Sequence, residues 1–339
     1  MQLNEILFLI VGFLFIGYFV LDGFDFGVGM SLPFLGKDDT DRRVLINTIG
    51  PVWDLNETWV LVAGASLFAA FPEWYASLFS GFYLPLMLIL LALIARGVAF
   101  EYRGKGKTIG ANEVKWKAAF DWMIVVGSAL PALLWGVAFA NIVQGVPLNE
   151  QHIYVGTIFT LLNPYGLLGG LVTLTLFWTH GLIFITLKTE GDIQVRARAL
   201  ATKVGIATTV LAAGFLVWTL IAHYSVLGFI LSAIAAVSLI AGLIANFAKR
   251  EGLSFALLVL TIMTAVGSLF SALFPNVFPS TIDPAFSLTI DNARSSDYTL
   301  GVMTWVAVIM IPLILLYQGW TYWVFRNRIS RKSIPAGSH

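Results

Sequence analysis

Long apolar runs separated by short polar segments dominate this chain. Nine of the runs are long enough to cross a membrane as helices, since about 20 apolar residues span the hydrocarbon core of a bilayer. The predicted spans are residues 6–31, 51–71, 75–99, 119–140, 164–187, 200–221, 226–247, 253–274 and 299–325. The pattern predicts an all-α integral membrane protein with nine transmembrane helices.

The composition agrees with this fold class. Of the 339 residues, 58% are hydrophobic and 12% are charged, and this charged fraction is about half the usual one. Because cysteine is absent, disulfides, iron–sulfur clusters and Cys-ligated metals are excluded. A net charge of +1 without a basic tract gives no indication of nucleic-acid binding. Residues 1–5 lack the basic region of a signal peptide, so we expect the first run to be retained as a helix.

The basic residues predict the orientation. Nineteen of the 20 Lys and Arg residues lie in or beside the connections after spans 1, 3, 5 and 7 or in the C-terminal tail, all on one side of the membrane. Arg294 alone lies on the other side. By the positive-inside rule, the N-terminus faces out and the C-terminus faces the cytoplasm. We therefore expect residues 1–335 to form a single polytopic membrane domain and residues 336–339 to be an expression remnant.

Four acidic residues fall inside these apolar runs. Asp22 and Asp25 lie in the first run, and Asp54 and Glu57 begin the second. The uninterrupted apolar stretch 59–71 has 13 residues, or about 20 Å of helix, against a core of about 30 Å. Asp54 and Glu57 must therefore lie at membrane depth if this helix spans. Each pair is spaced i, i+3, which puts its two members on one helix face.

Carboxylates at this depth have two interpretations. A row of them can hold and pass protons, because burial favours the protonated form of a carboxyl group. Alternatively they are structural, in a salt bridge with Arg96 or in hydrogen bonds with Trp53, Asn56 or Trp59. Their common position in the cytoplasmic half of the predicted membrane domain favours the proton or cation route.

Arg96, at the end of the third run, also has two interpretations. Its guanidinium could extend to the membrane interface, as long basic side chains do by default. Alternatively it is the counter-ion of Asp22, Asp25, Asp54 or a cofactor propionate. The sequence leaves both open.

Gly23 and Gly27 form a Gly-x-x-x-Gly step in the first run. Such a step lets a neighbouring helix approach closely, and helix packing is the favoured interpretation. Asp25 lies between the two glycines and is expected to face or border that contact.

Histidine is informative because it is scarce. His152 and His223 fall in predicted outer loops, which leaves His180 as the histidine within a helix. A bis-His haem needs two such residues, and the Met residues show no pairing with His180. We therefore predict that this chain ligates no haem and no metal, and that His180 is a polar packing residue.

Five motifs, in order along the chain, carry a family resemblance. They are residues 20–29 (VLDGFDFGVG), Trp53-Asp54 followed by Trp59, residues 79–83 (FSGFY), residues 163–168 (NPYGLL) and residues 302–307 (VMTWVA). Together they resemble subunit II of cytochrome bd quinol oxidase, and the similarity covers essentially the whole chain.

The resemblance implies nine helices arranged as two four-helix bundles plus a peripheral helix, in a bacterial plasma membrane. It implies a heterodimer with subunit I, which would ligate haems b558, b595 and d and bind quinol. The complex would oxidise quinol and reduce dioxygen to water with protons from the cytoplasm. Small single-helix subunits are kept open as further partners, and no nucleic acid is expected.

The resemblance also implies roles for the acidic residues. Asp25 and Asp54 would carry or relay protons, with Asp22 and Glu57 assisting. Asp121, at the cytoplasmic start of the fourth span, is a weaker candidate for the same route.

Arg96 and Trp53 would balance charge near the haem propionates.

Two alternatives to the proton-route interpretation stay open at this point. The first is a proton-coupled secondary transporter, which would also use buried acids. The second is a purely structural assembly subunit of the same oxidase.

Overall fold

The computed structural model describes residues 2–334, and helices make up most of that range. The first six are α1 (Leu3–Leu35), α2 (Asp39–Ile49), α3 (Trp53–Ala70), α4 (Pro72–Gly81), α5 (Tyr83–Tyr102) and α6 (Glu113–Gln144). The others are α7 (Ile158–Leu161), α8 (Pro164–Lys188), α9 (Asp192–Ala222), α10 (Val226–Phe247), α11 (Glu251–Leu273) and α12 (Asp297–Val324). Two short antiparallel strands, β1 (Asn276–Phe278) and β2 (Leu288–Thr289), lie between α11 and α12. The proposed remnant at residues 336–339 falls outside the described residues.

Eight helices of the described chain are long and apolar enough to cross a membrane: α1, α5, α6 and α8 to α12. By length and composition they make this a multi-pass membrane protein. The predicted span at residues 51–71 corresponds to α3, a helix of 18 residues that is not among the eight. Asp54 and Glu57 lower its mean hydropathy.

The predicted third span, residues 75–99, is not one helix. The chain breaks at Phe82, which separates α4 from α5. In a continuous helix the residue at position 85 would donate its N–H to the carbonyl of Gly81, and Pro85 has no N–H to donate. Glycine at position 81 weakens the helix further. The single-helix prediction is therefore wrong here.

Helix α1 is the centre of the molecule. It packs against α3, α6, α8, α11 and α12. Its aromatic side chains fill the interior, and Tyr18, Phe24 and Phe26 are at most 1% exposed. Residues on α1 are therefore shielded from lipid over most of the helix circumference.

Helices α1 and α8 approach each other closely at two glycines of α1. A Cβ atom built on Gly27 would lie 2.1 Å from the carbonyl oxygen of Phe177 and 2.7 Å from the Gly181 backbone. A Cβ on Gly23 would lie 2.8 Å from the Phe177 ring. The packing interpretation of the glycine pair is confirmed, with α8 as the neighbouring helix.

The basic connections gather at one end of the bundle, which we call the basic end. Ion pairs link the segment after α1 to those after α5, α8 and α12: Arg103–Asp39, Arg42–Asp121, Arg196–Asp41, Arg331–Asp38 and Arg331–Asp41. Arg198 of α9 pairs with Glu251 of α11 at the same end. At the opposite end, the segments around His152 and β1–β2 contact each other.

Candidate functional site

Arg96 of α5 is completely buried and binds two carboxylates from different helices. Its Nη2 donates hydrogen bonds to Asp22 Oδ1 at 2.6 Å and to Glu57 Oε1 at 2.5 Å. Its Nε donates to the same Glu57 oxygen at 3.1 Å. The counter-ion interpretation of Arg96 is confirmed with Asp22. Glu57, the second partner, agrees with the structural interpretation of the four acids, in which they form a salt bridge with Arg96.

Aromatic rings enclose the guanidinium. The Arg96 Cζ lies 4.5 Å from the centroid of the Phe26 ring and 5.8 Å from that of Phe100. Cations are attracted to aromatic faces, and here the rings also keep water away. Trp53 packs on Phe100 with ring centroids 5.1 Å apart, so it extends the same wall.

Asp25 lies on α1 close to this ion pair and is also completely buried. Its Oδ2 accepts a hydrogen bond of 2.7 Å from Asn56 Nδ2. Asn56 Oδ1 in turn accepts hydrogen bonds from Gln318 Nε2 and the Tyr322 hydroxyl, both at 2.8 Å. A continuous hydrogen-bonded chain therefore joins α1, α3 and α12.

Several polar atoms of this cluster are buried without a hydrogen-bond partner among the described residues. They include Asp25 Oδ1, Asp22 Oδ2 and Gln318 Oε1. Buried polar atoms are nearly always hydrogen-bonded in proteins, so these atoms call for a further partner or, at a carboxyl oxygen, a bound proton. Each carboxyl oxygen of this kind is a position at which a proton can be held.

The charges of the cluster do not balance if every group is ionised. Asp22, Asp25 and Glu57 would contribute three negative charges against the one positive charge of Arg96. An uncompensated buried charge costs several kcal/mol, unless the group neutralises itself by binding a proton. Asp25 is hydrogen-bonded to a neutral amide rather than to the guanidinium. The arrangement can therefore hold protons within the membrane domain.

The structure does not place Asp54 in this cluster. Its side chain is exposed on α3, whereas that of Glu57, three residues later, is 18% exposed and turned toward Arg96. Asp54 thus lies on a surface of the isolated chain, next to the cluster along the helix.

Asp121 belongs to a separate network at the basic end. It accepts hydrogen bonds from Arg103 Nε at 2.5 Å and from Arg42 Nη1 at 3.1 Å. Arg103 also donates to Asp39, as does Lys117. Partial burial raises the pKa of Asp39, but the hydrogen bonds from Arg103 and Lys117 outweigh that effect and hold the pKa below its ordinary value.

Sequence reasoning missed two members of the site, Gln318 and Tyr322. Both lie in α12, where Gln318 is a lone amide within a long apolar run and is 5% exposed. A buried amide in a membrane helix needs a hydrogen-bond partner. That requirement was the signal available in the sequence, although it could not identify Asn56 as the partner.

His180 is a packing residue in this structure. Its Nε2 lies 3.1 Å from the Val20 carbonyl oxygen, and its ring stacks on Phe255 at a centroid distance of 4.9 Å. Within residues 2–334, no group of three or more His, Asp or Glu side chains is arranged to hold a metal ion.

The fold and the site together define a multi-pass helical membrane protein whose interior holds a buried cluster of carboxylates and one guanidinium. The family model for cytochrome bd terminal oxidase subunit II matches residues 3–325. The chain belongs to this family, and is thus a subunit of an oxidoreductase.

Relatives that match over their full length support the same family assignment. Cytochrome bd ubiquinol oxidase subunit 2 of Bacillus subtilis (strain 168) is 41% identical over 336 residues, which covers 98% of this chain and 98% of that protein. Cytochrome bd-I ubiquinol oxidase subunit 2 of Escherichia coli (strain K12) is 39% identical over 375 residues, covering 99% and 98%.

A solved structure supports the fold. A chain of the bd oxidase from Geobacillus thermodenitrificans superimposes with a TM-score of 0.76 and covers 96% of this chain and 99% of its own length. At 16% identity this is a likeness of fold alone. The resemblance inferred from the motifs is confirmed by the family and its relatives, and none of the comparisons supports the transporter alternative.

Proposed function

We propose that this chain pairs with a haem-bearing subunit I and supplies a proton route to the site where dioxygen is reduced to water. Its relatives are named as subunits of ubiquinol oxidases, which supports quinol as the electron donor of the complex. The quinol site lies in subunit I, as do haems b558, b595 and d. Small single-helix subunits are further candidate partners.

The residues of this chain do not fit a haem of the bis-His type. His180 is the one histidine in a membrane helix among residues 2–334, and its ring is packed on Phe255 with Nε2 at the Val20 carbonyl. His152 and His223 lie in connections between helices, so the second ligand is missing from the helix interior.

The observation that carries the proton route is the charge imbalance of the cluster. Asp25 holds the proton, because it is buried and its partner is a neutral amide. Asp22 and Glu57 assist beside it. Asp54, on the exposed surface of α3, links the cluster to the partner subunit, and Asp121 extends the route toward the basic end.

Arg96 and Trp53 balance charge and limit water next to the partner's haem propionates. Arg96 supplies the only cation of the cluster, and Trp53 adds to its aromatic wall through Phe100.

In the membrane, the basic end faces the cytoplasm and the N-terminus faces out. We count nine spanning helices, α3 being the ninth beside the eight apolar ones, arranged as two four-helix bundles plus a peripheral helix. Helix α12 is the least buried candidate span, because only 6% of its most apolar stretch is buried inside the molecule. This exposure supports the proposal that lipid or a partner covers α12. The complex lies in the bacterial plasma membrane.

Asp25→Asn in the purified complex tests the route. Asparagine has nearly the same shape as aspartate but cannot hold a proton, so quinol-driven oxygen uptake should fall about tenfold or more. Haem content, read from the reduced-minus-oxidised visible spectrum, should be unchanged. The matched control is Asp192→Asn, which neutralises a carboxylate that is 66% exposed at the basic end.

Normal turnover in both Asp25→Asn and Asp54→Asn, with normal haem spectra, would contradict a proton route through these residues. Proton uptake by the complex in vesicles gives a second readout. It separates a slowed proton step from a general loss of activity.

A structural role is the second candidate function, and one observation favours it. Asp22 and Glu57 both bind Arg96, so the cluster also ties α1 and α3 to α5. In that case Asp22→Asn would lower haem retention and thermal stability in parallel with turnover. A fall in turnover at unchanged haem content points to the proton route instead.

A further inference from the structure

A cavity of about 600 Å³ opens at the basic end, between the end of α8, the α2–α3 connection and the segment after α12. Its polar lining includes three basic residues, Lys188, Arg326 and Arg328. Its apolar lining includes Phe184 and Leu187 of α8. The cavity is amphipathic, and none of its lining residues is a carboxylate.

Lys188 fixes one wall of the cavity and keeps a free donor. Its Nζ donates hydrogen bonds to the carbonyl oxygens of Phe325 and Asn327, which follow the end of α12. An ammonium group has three donors, so one is left for a ligand. Because both of these acceptors are neutral carbonyl oxygens, no carboxylate balances the positive charge of Lys188.

The two arginines at the cavity are also short of negative partners. Arg326 donates to the Trp323 carbonyl and lies over the Trp323 ring at 4.5 Å. Arg328 lies 3.8 Å from Glu251, a carboxylate that also accepts a hydrogen bond from Arg198. The cavity therefore carries excess positive charge at its mouth.

We propose that this cavity binds the headgroup of an anionic phospholipid. Lys188, Arg326 and Arg328 hold the phosphate, and the glycerol end of the acyl chains lies along Phe184 and Leu187. Basic pockets between membrane helices on the cytoplasmic side are characteristic sites for anionic lipid headgroups. A free phosphate ion would satisfy the cations but would leave the apolar lining unused, so a lipid fits better.

The test compares two double variants of the purified complex that remove equal charge at the same end of the molecule. R326Q/R328Q removes two cations of the cavity, and K203Q/K249Q removes two exposed cations outside it. Affinity for phosphatidylglycerol is measured by native mass spectrometry in phosphatidylcholine nanodiscs doped with that lipid. Each basic residue near an anionic headgroup contributes about a factor of five, so R326Q/R328Q should bind about 25-fold more weakly. The K203Q/K249Q control should bind like the unaltered complex.

Equal retention of phosphatidylglycerol by both double variants would overturn the proposal. The unaltered complex provides an arm that does not depend on variant folding. Phosphatidylglycerol, but neither phosphatidylcholine alone nor inorganic phosphate, should raise its Tm. An equal rise with inorganic phosphate would assign the cavity to a free anion and overturn the lipid assignment.

Discussion

Arg96 shows how one residue organises the site. A guanidinium is always charged and has five donors in a planar fork, so its burial requires acceptors in fixed positions. Asp22 and Glu57 supply them from two helices. A buried pair of this kind contributes little net stability compared with apolar residues, but the loss of one member leaves an uncompensated charge. The cluster therefore adds little net stability over an apolar core, but it makes the fold sensitive to the loss of any one member.

Arg96→Gln should destabilise the complex strongly, because Asp22 and Glu57 would remain buried without a cation. The expected loss is about 3 kcal/mol in the free energy of unfolding, and the complex should lose haem on mild heating. Arg96→Lys should recover only part of the lost stability, since one ammonium nitrogen cannot replace the separate donors Nε and Nη2 of the guanidinium. Differential scanning calorimetry with haem spectra measures both.

Arg294→Gln is the control for this prediction. Arg294 pairs with Asp297 at the partly exposed start of α12, where an ion pair contributes at most about 1 kcal/mol. An Arg96→Gln complex as stable as the Arg294→Gln complex would show that the buried ion pair is dispensable.

At the residue scale, the sequence located the acids but not their geometry. The short apolar run 59–71 predicts that Asp54 and Glu57 lie at membrane depth if their helix spans, and both residues are on α3. Two side chains that are three residues apart on a helix point in directions that differ by about 60°. This difference decides whether Asp54 or Glu57 contacts Arg96. Only the packing of α3 against α1 fixes that rotation, and it turns Glu57 inward and leaves Asp54 exposed.

The contact between α1 and α8 depends on glycine. Gly27→Ala should cost about 3 kcal/mol or more, because the new Cβ would meet backbone atoms that cannot move without separating the two helices. Since Asp25 lies on the same turn, turnover should fall with stability. The measurement is the yield and Tm of the haem-loaded complex.

Gly214→Ala provides the matched control on α9. A Cβ at Gly214 meets nothing within 4 Å, so alanine there should be neutral or stabilising by up to about 1 kcal/mol through its helix propensity. Equal behaviour of the two variants would contradict the close-contact explanation.

At the element scale, apolar length predicted the long helices well and short elements poorly. The predicted span 226–247 matches α10 (Val226–Phe247). The polar Ser225 caps the start of this helix, and the basic residues Lys249 and Arg250 follow its end. Helices α2 and α7 were missed, since neither is long or apolar enough to stand out from its loop. The break at Phe82 follows from Pro85, a local signal that the apolar run obscured.

For the whole molecule, the charge asymmetry of the sequence has a direct structural counterpart. The connections predicted to share one side do meet, through ion pairs that no spacing in the sequence identifies. The segment after α12 is one of them: Arg331 donates to Asp38 at 2.7 Å and to Asp41 at 2.5 Å, and Ile329 donates its N–H to the Lys188 carbonyl. These contacts close the proposed lipid cavity on one side.

The attachment of this segment should be sensitive to acid. Hydrogen bonds from the Asp41 backbone N–H and from Arg331 hold the pKa of Asp38 below its ordinary value. A carboxyl group with a lowered folded-state pKa stabilises the fold above its unfolded pKa of about 3.9, and this contribution is lost as the pH falls through the folded-state value. The contact should thus be intact throughout the neutral range.

Amide hydrogen exchange of residues 326–334 in the complex measures the attachment. Protection, corrected for the intrinsic pH dependence of exchange, should be constant between about pH 5 and 8. It should fall only below about pH 4, as protonation of Asp38 removes one of the two carboxylates that hold Arg331. Asp38→Asn should lower protection at every pH, whereas Asp283→Asn, between β1 and β2 at the opposite end, should leave it unchanged. A loss of protection centred near pH 6 would contradict this assignment, because a carboxyl group with a lowered pKa cannot titrate there.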